Sequence, residues 1–110
     1  MTSNALIPRD VSVTVGTTNA VLSEETGNKQ RQALVLTNTS TGGQLISLAW
    51  GKEAVAGVGI VLLPGEHHVE SIDKGFIPLN TSVNAVASAA GATVALHERL
   101  IDYSEYGRFA

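Results

Sequence analysis

A chain of 110 residues is the size of one domain, and a hydrophobic fraction of 44% excludes wholesale disorder. Charged residues make up only 15%, against about 25% in a typical soluble domain, so Ser, Thr, Asn, Gly and Ala must cover much of the surface. The net charge of -3, the scattered Lys and Arg and the absence of cysteine exclude a phosphate-neutralising stripe, disulfides and thiolate metal sites.

The opening MTSNALIPRD lacks the basic and long apolar regions of a signal peptide. The longest apolar run, VAGVGIVLL, is about half the ~20 residues a transmembrane helix needs. The expectation is a protein made in the cytosol, with no membrane and no nucleic-acid partner, in which residues 1–10 form an arm. Helical periodicity is scarce, whereas short β-branched runs between Gly, Asn, Ser and Pro recur, so the chain reads as all-β. VSVTV alternates, placing Val11, Val13 and Val15 on one face of a half-buried strand. Asn19 to Leu22 is a short strand that could pair back on it, and SEETGNKQRQ reads as a charged surface loop.

Gln32–Asn38 and Gln44–Trp50 flank TSTGG, whose glycines and hydroxyls suit a bend, and are read as a hairpin. In the second of these, Ile46, Leu48 and Trp50 share a face. GKEAVAGVG is a loop with room for one helical turn at Lys52–Ala56, and Gly59–Leu63 is a buried strand. Leu63-Pro64-Gly65-Glu66 carries the Pro and Gly of a type II turn, so the histidines that follow begin a strand. There Glu66, His68 and Glu70 face one way and His67, Val69 and Ser71 the other. Phe76 is expected to pack inward from its loop, and Thr81–Ala87 and Ala92–Glu98 are strands joined by SAAG. The expected architecture is a two-sheet antiparallel β-sandwich or jelly roll of seven or eight strands over residues 11–99, with a C-terminal extension over 100–110. That tail holds Tyr103, Tyr106 and Phe109, three of the five aromatics, and they are the candidate partner-binding residues.

Reactive constellations are sparse. His68 with Glu66 or Glu70 could give a divalent metal two ligands, with Asp73 or His97 as a third. The ordinary alternative is a Glu-x-His-x-Glu strand face turned to water. No Gly-x-Ser-x-Gly elbow, cysteine nucleophile or phosphate loop occurs, and Glu98-Arg99 could form an inter-subunit salt bridge, the commoner case being an exposed strand-end pair. The expectation is no enzyme, no cofactor and no metal.

The runs ALVLTNTSTGGQLISLAWG, GVGIVLLPGEHHVES and FIPLNTSVNAVASAAGATVALHER, about Ala33 to Arg99, resemble small β-sandwich proteins of bacteriophage virions, of the capsid decoration, cement and head-fibre or spike kinds. The resemblance implies a structural, trimeric or otherwise symmetric homo-oligomeric component of a virion. Its partner would be the major capsid protein or another virion protein. A receptor- or glycan-binding module of a fibre, spike or tail is the alternative it leaves open.

Overall fold

The computed structural model describes residues 6–75 and 78–102. Eight strands form: β1 Leu6–Val15, β2 Ala20–Ser23, β3 Lys29–Asn38, β4 Ile46–Trp50, β5 Ile60–Leu62, β6 His67–Ser71, β7 Val83–Ala87 and β8 Ala92–Asp102. One 3-10 turn, Ile72–Lys74, follows β6; the Asp73 N–H donates to the Ser71 hydroxyl at its start. The helical turn considered at Lys52–Ala56 does not form: the Ala54 N–H is taken by Asn19 Oδ1, and the one turn in this loop comes later, closed by the Val58 N–H on the Val55 carbonyl at 3.0 Å. β1 starts five residues ahead of Val11 and β8 runs on to Asp102, because each supplies the other's backbone partners from Leu6↔Ile101 to Val15↔Ala92.

The strands make two four-stranded antiparallel sheets in the orders β1-β8-β3-β6 and β2-β7-β4-β5. Every link except β4 to β5 carries the chain from one sheet to the other, which is the connectivity of a jelly roll. This overturns the β3–β4 hairpin. TSTGG does make a bend, but the bend changes sheets, and β3 pairs with β6 and β8 while β4 pairs with β5 and β7. β2 likewise pairs with β7 and not back onto β1. The type II turn forms as expected, with Gly65 at φ 87 and Glu66 N–H donating to the Leu63 carbonyl at 2.9 Å, and it too joins one sheet to the other.

Asn38 pins these crossings. Its Nδ2 donates to the Gln44 and Leu62 carbonyls, its Oδ1 accepts from the Ser40 N–H, and its backbone bonds Gly65 and Glu66. The core lies between the sheets, where Val15, Leu34, Leu36, Ile46, Val83 and Val94 are wholly buried. Each such side chain contributes roughly 1.5–3 kcal/mol relative to exposure.

The two outer faces differ. Over β7 and β4 lies the 51–59 loop: Asn84 Nδ2 donates to the Lys52 carbonyl, Ala54 N–H to Asn19 Oδ1 and Gly57 N–H to the Ser47 hydroxyl. β7 is therefore buried on both faces. The β1-β8-β3-β6 sheet has no such cover among the described residues.

Candidate functional site

Three groups of charged or ionisable side chains are bonded to one another among the described residues, and the first is buried. β3 carries a bulge between Arg31 and Ala33, where β8 pairs Leu100 with Arg31 and Arg99 with Ala33. One extra residue reverses the alternation, so Arg31 points inward although Ala33, Val35 and Thr37 point out. Arg31 is 0% exposed, and all five of its N–H donors are used. Nε donates to Glu98 Oε2 at 2.9 Å, Nη1 to the Leu79 and Thr81 carbonyls, and Nη2 to the Ser23 hydroxyl and the Glu24 carbonyl. Glu98 Oε1 also accepts from Arg9 Nη1 at 2.9 Å and from the Ser23 hydroxyl at 3.0 Å. The surface-loop reading of SEETGNKQRQ thus holds only for its middle, residues 24–28. Glu98 is not an exposed partner of Arg99 but the buried centre of this cluster.

The second group sits on β6. Its register pairs Glu70 with Leu34 and His68 with Leu36, and since both leucines are in the core, His68 and Glu70 turn inward and not to water, while Glu66 stays exposed in the turn before the strand. Glu70 is 6% exposed; its Oε2 lies 3.0 Å from His68 Nε2, and its Oε1 is buried with no partner among the described residues. His68 also meets Trp50 edge-on, with ring centroids 5.5 Å apart. The Trp50 Nε1–H is buried without an acceptor among the described residues.

The third group is on the open outer face. His97 Nδ1 lies 2.6 Å from Asp10 Oδ1, and its Nε2 accepts from Arg99 Nε at 3.1 Å. Ser12 is close by in the ladder, yet Nε2, the atom that would take a hydroxyl proton, is already the acceptor of the guanidinium. His97 and His68 lie on opposite faces of one sheet. The metal set that would have joined them is not assembled: Glu66 closes its own turn onto Leu63 N–H, Asp73 sits exposed on the 3-10 turn, and no group of three or more His, Asp or Glu able to hold a metal occurs among the described residues. Tyr103, Tyr106, Phe109 and Phe76 lie outside the described residues.

Around the Asp10, His97 and Arg99 group, Ser12 and Thr14 on β1, Thr93 and Ala95 on β8, Ala33, Val35 and Thr37 on β3, and Val69 and Ser71 on β6 form a surface of small apolar and hydroxyl side chains, with His67 at its β6 edge and a depression of about 320 Å³ between Ser12, Val35, Thr37 and His97. A second feature lies where β4 and β5 splay apart. There Leu48, Trp50, Val55, Val58 and Ile60 line a cavity of about 320 Å³ with Lys52 and Glu53 among its walls.

No protein-family model and no curated protein matches the chain. Among solved structures, a chain from Bacillus endospore appendages, described as a novel family of disulfide-linked pili, is similar with a TM-score of 0.54 and 19% identity, over 89% of this chain and 88% of that one. The coat protein of Tobacco streak virus gives a TM-score of 0.43 at 6% identity, over 90% of this chain and 88% of that one. The first likeness is one of fold; the second is too weak to argue from.

Proposed function

We propose that this chain is a non-enzymatic structural subunit that acts through contacts with its neighbours, and that it serves as a component of a bacteriophage particle, decorating or cementing the capsid shell. The observation that carries this is the contrast between the chain's reactive groups and its surface. The ionic clusters of the described residues are spent on one another, while the open sheet face around the Asp10, His97 and Arg99 group is covered by small apolar and hydroxyl side chains. Such a face loses little hydration when it is buried against a neighbour. The aromatic residues Tyr103, Tyr106 and Phe109 are the proposed anchors to that neighbour, whether the capsid protein or another copy. The fold is similar to that of a chain from Bacillus endospore appendages, but a chain without cysteine cannot be linked by disulfides as those pili are. The glycan-binding alternative is weakened because Trp50, the one tryptophan, meets His68 edge-on and is set in the wall of the β4–β5 cavity, so it does not stand out from the surface as a stacking platform.

The test is co-sedimentation of the purified chain with phage capsids, alongside the Tyr103→Ala, Tyr106→Ala, Phe109→Ala triple variant. Binding by the native chain, lost in a triple variant that still unfolds cooperatively, is the expected result. A native chain that neither binds capsids nor self-associates would overturn the proposal.

A further inference from the structure

Each four-stranded sheet ends in two edge strands, and three of the four are poor templates for a further strand. β5 has three residues, β2 has four with a register shift between Val21 and Ser23, and β6 has five, stopped by the Pro64-Gly65 turn before it and the 3-10 turn after it. β1 differs: its ten residues stay in unbroken register with β8 from Leu6 to Val15, and among the described residues no strand lies on its other side. Pro8, Arg9 and Asp10, the residue types that guard an edge, stand in its first half and leave VSVTV unguarded. Val11 and Val13 are only partly buried against the core, whereas Leu96 and Val94, their partners on β8, are 2% and 0% exposed.

Bonds around β8 fix which main-chain groups of β1 are unpaired. Thr93 donates its N–H to the Ser40 hydroxyl and accepts at its carbonyl from the Thr39 N–H, so its main chain faces the β3 side. Alternation along an antiparallel ladder then turns Val94 and Leu96 toward Val13 and Val11, and leaves the N–H and C=O of Asp10, Ser12 and Thr14 pointing away from β8. Pro8 falls in the same outward set, where its missing N–H costs no ladder bond.

We infer that this edge pairs antiparallel with β1 of a second copy, about a two-fold axis at Ser12; this rests on the structural-subunit reading above. Ser12 then faces the partner's Ser12 and Asp10 faces the partner's Thr14, so all three outward residues exchange both of their bonds, about six across the seam. Residues of like parity meet, so the valines stay on the core side, with Val11 in the close, non-hydrogen-bonded position beside the partner's Val13. That contact covers the part of both valines that β1 leaves exposed. On the outer side each Asp10 carboxylate, whose Oδ1 already meets His97, lies beside the partner's Thr14 hydroxyl.

The neighbouring registers are poorer. An axis at Val11 sets Thr14 against Pro8, which has no donor, and an axis at Asp10 sets two carboxylates side by side. An axis at Val13 sets Asp10 against Gly16, whose carbonyl already accepts from the Ala87 N–H at 2.8 Å. With the axis at Ser12 the two open sheets become one, in the order β6-β3-β8-β1-β1-β8-β3-β6, and the hydroxyl-rich outer face doubles. The same patch is used on both subunits, so the contact closes at a dimer.

Sedimentation equilibrium of the full-length chain should show a reversible monomer–dimer equilibrium. Ser12→Pro removes an outward N–H at the axis without touching the ladder to β8, and should weaken the dimer at least about tenfold while thermal unfolding stays cooperative. Thr14 is exposed, so two further variants test the register whatever proline does to folding. Thr14→Asp sets like charges across the seam twice and should weaken the dimer about threefold or more, whereas Thr14→Lys, opposite the partner's Asp10, should tighten it by a similar factor. Amide exchange reads the edge directly: Asp10, Ser12 and Thr14 should exchange fast in dilute solution and slowly as concentration rises, with Val11 and Val13 slow throughout.

A native dimer unmoved by Ser12→Pro, and equally stable with Thr14→Asp and Thr14→Lys, overturns the β1 seam and leaves the structural-subunit reading standing. Growth beyond a dimer that Ser12→Pro stops means that β1 pairs with a different edge of the next subunit, which overturns the two-fold. Slow exchange at Asp10, Ser12 and Thr14 in a dilute monomer puts the chain's own residues on the edge and overturns the inference. A chain that stays monomeric at millimolar concentration overturns it too, and capsid co-sedimentation then decides the structural-subunit reading alone.

Discussion

Replacing Arg31 by Met separates a buried ionic centre from an ornamental one. The substitution keeps the aliphatic stem but removes all five donors, leaving Glu98 buried with only Ser23 and the Arg9 guanidinium, and leaving the Glu24, Leu79 and Thr81 carbonyls without their donor. Removing one partner of a fully buried pair costs about 3–5 kcal/mol, because the remaining charge stays desolvated. Whole-domain stability is about 5–15 kcal/mol, so the variant should remain folded but lose on the order of 20 °C in Tm. Arg9→Ala is the internal control. Its side chain is 40% exposed while it contacts the same carboxylate, so solvent screening should hold its cost to about 1 kcal/mol or less. In urea unfolding, the double variant Arg31→Met, Glu98→Leu should cost less than the sum of its two single changes, since an apolar pair no longer strands a charge. Equal losses for Arg31→Met and Arg9→Ala, or a loss for Arg31→Met near 1 kcal/mol, would refute the reasoning.

Two further outcomes test the turns. Gly65 and Gly59 both adopt positive φ, 87° and 84°, but a Cβ on Gly65 meets nothing within 4 Å whereas one on Gly59 would lie 3.1 Å from the Leu48 carbonyl. Gly65→Ala should therefore cost only the left-handed backbone term, about 1–2 kcal/mol, and Gly59→Ala roughly 1 kcal/mol or more beyond that; thermal unfolding of the two side by side decides it. Asn38→Leu strips the donors from the Gln44 and Leu62 carbonyls and the acceptor from Ser40 N–H, and should cost about 2–3 kcal/mol in denaturant unfolding.

Strand positions were legible because each is written locally. The valines of β1, the Ile46 and Leu48 face of β4, and the Pro-Gly of the β5–β6 turn each fix a conformation from neighbours in sequence. Which strands pair was not legible. TSTGG specifies a change of direction but carries no information on whether the returning strand lies beside β3 or across the core from it. The facing of β6 was hidden for a related reason. Alternation divides Glu66, His68 and Glu70 from His67, Val69 and Ser71, but the direction of His68 and Glu70 follows from the register against Leu36 and Leu34, and for these two, though not for the exposed Glu66, hydrophilic side chains suggested the wrong one. Arg31 was concealed by a bulge: in the unbulged pattern it would share the outer face of Val35, and nothing in SEETGNKQRQ marks the extra residue.

The bulge also explains why a charge-poor protein carries a wholly buried arginine. Along the inner face of the open sheet the rows run from Val13 and Val94, through Val11, Leu96 and Leu36, to Arg9, Glu98 and Leu34, and then to Ile7, Leu100 and Arg31. The opposite sheet begins at Val83 and Ser23, at the level of Glu98, so the last row has no strand across from it. Loop backbone takes that place, from Glu24 on one side and from Leu79 to Thr81 on the other, and loop backbone presents carbonyls that an apolar residue would leave unsatisfied. A five-donor planar group meets that demand with one side chain, and Glu98 balances its charge. The sandwich is thus closed by hydrogen bonding at the end where β8 runs out to Asp102, and the buried Arg31–Glu98 pair is the consequence of a sheet that extends past its partner.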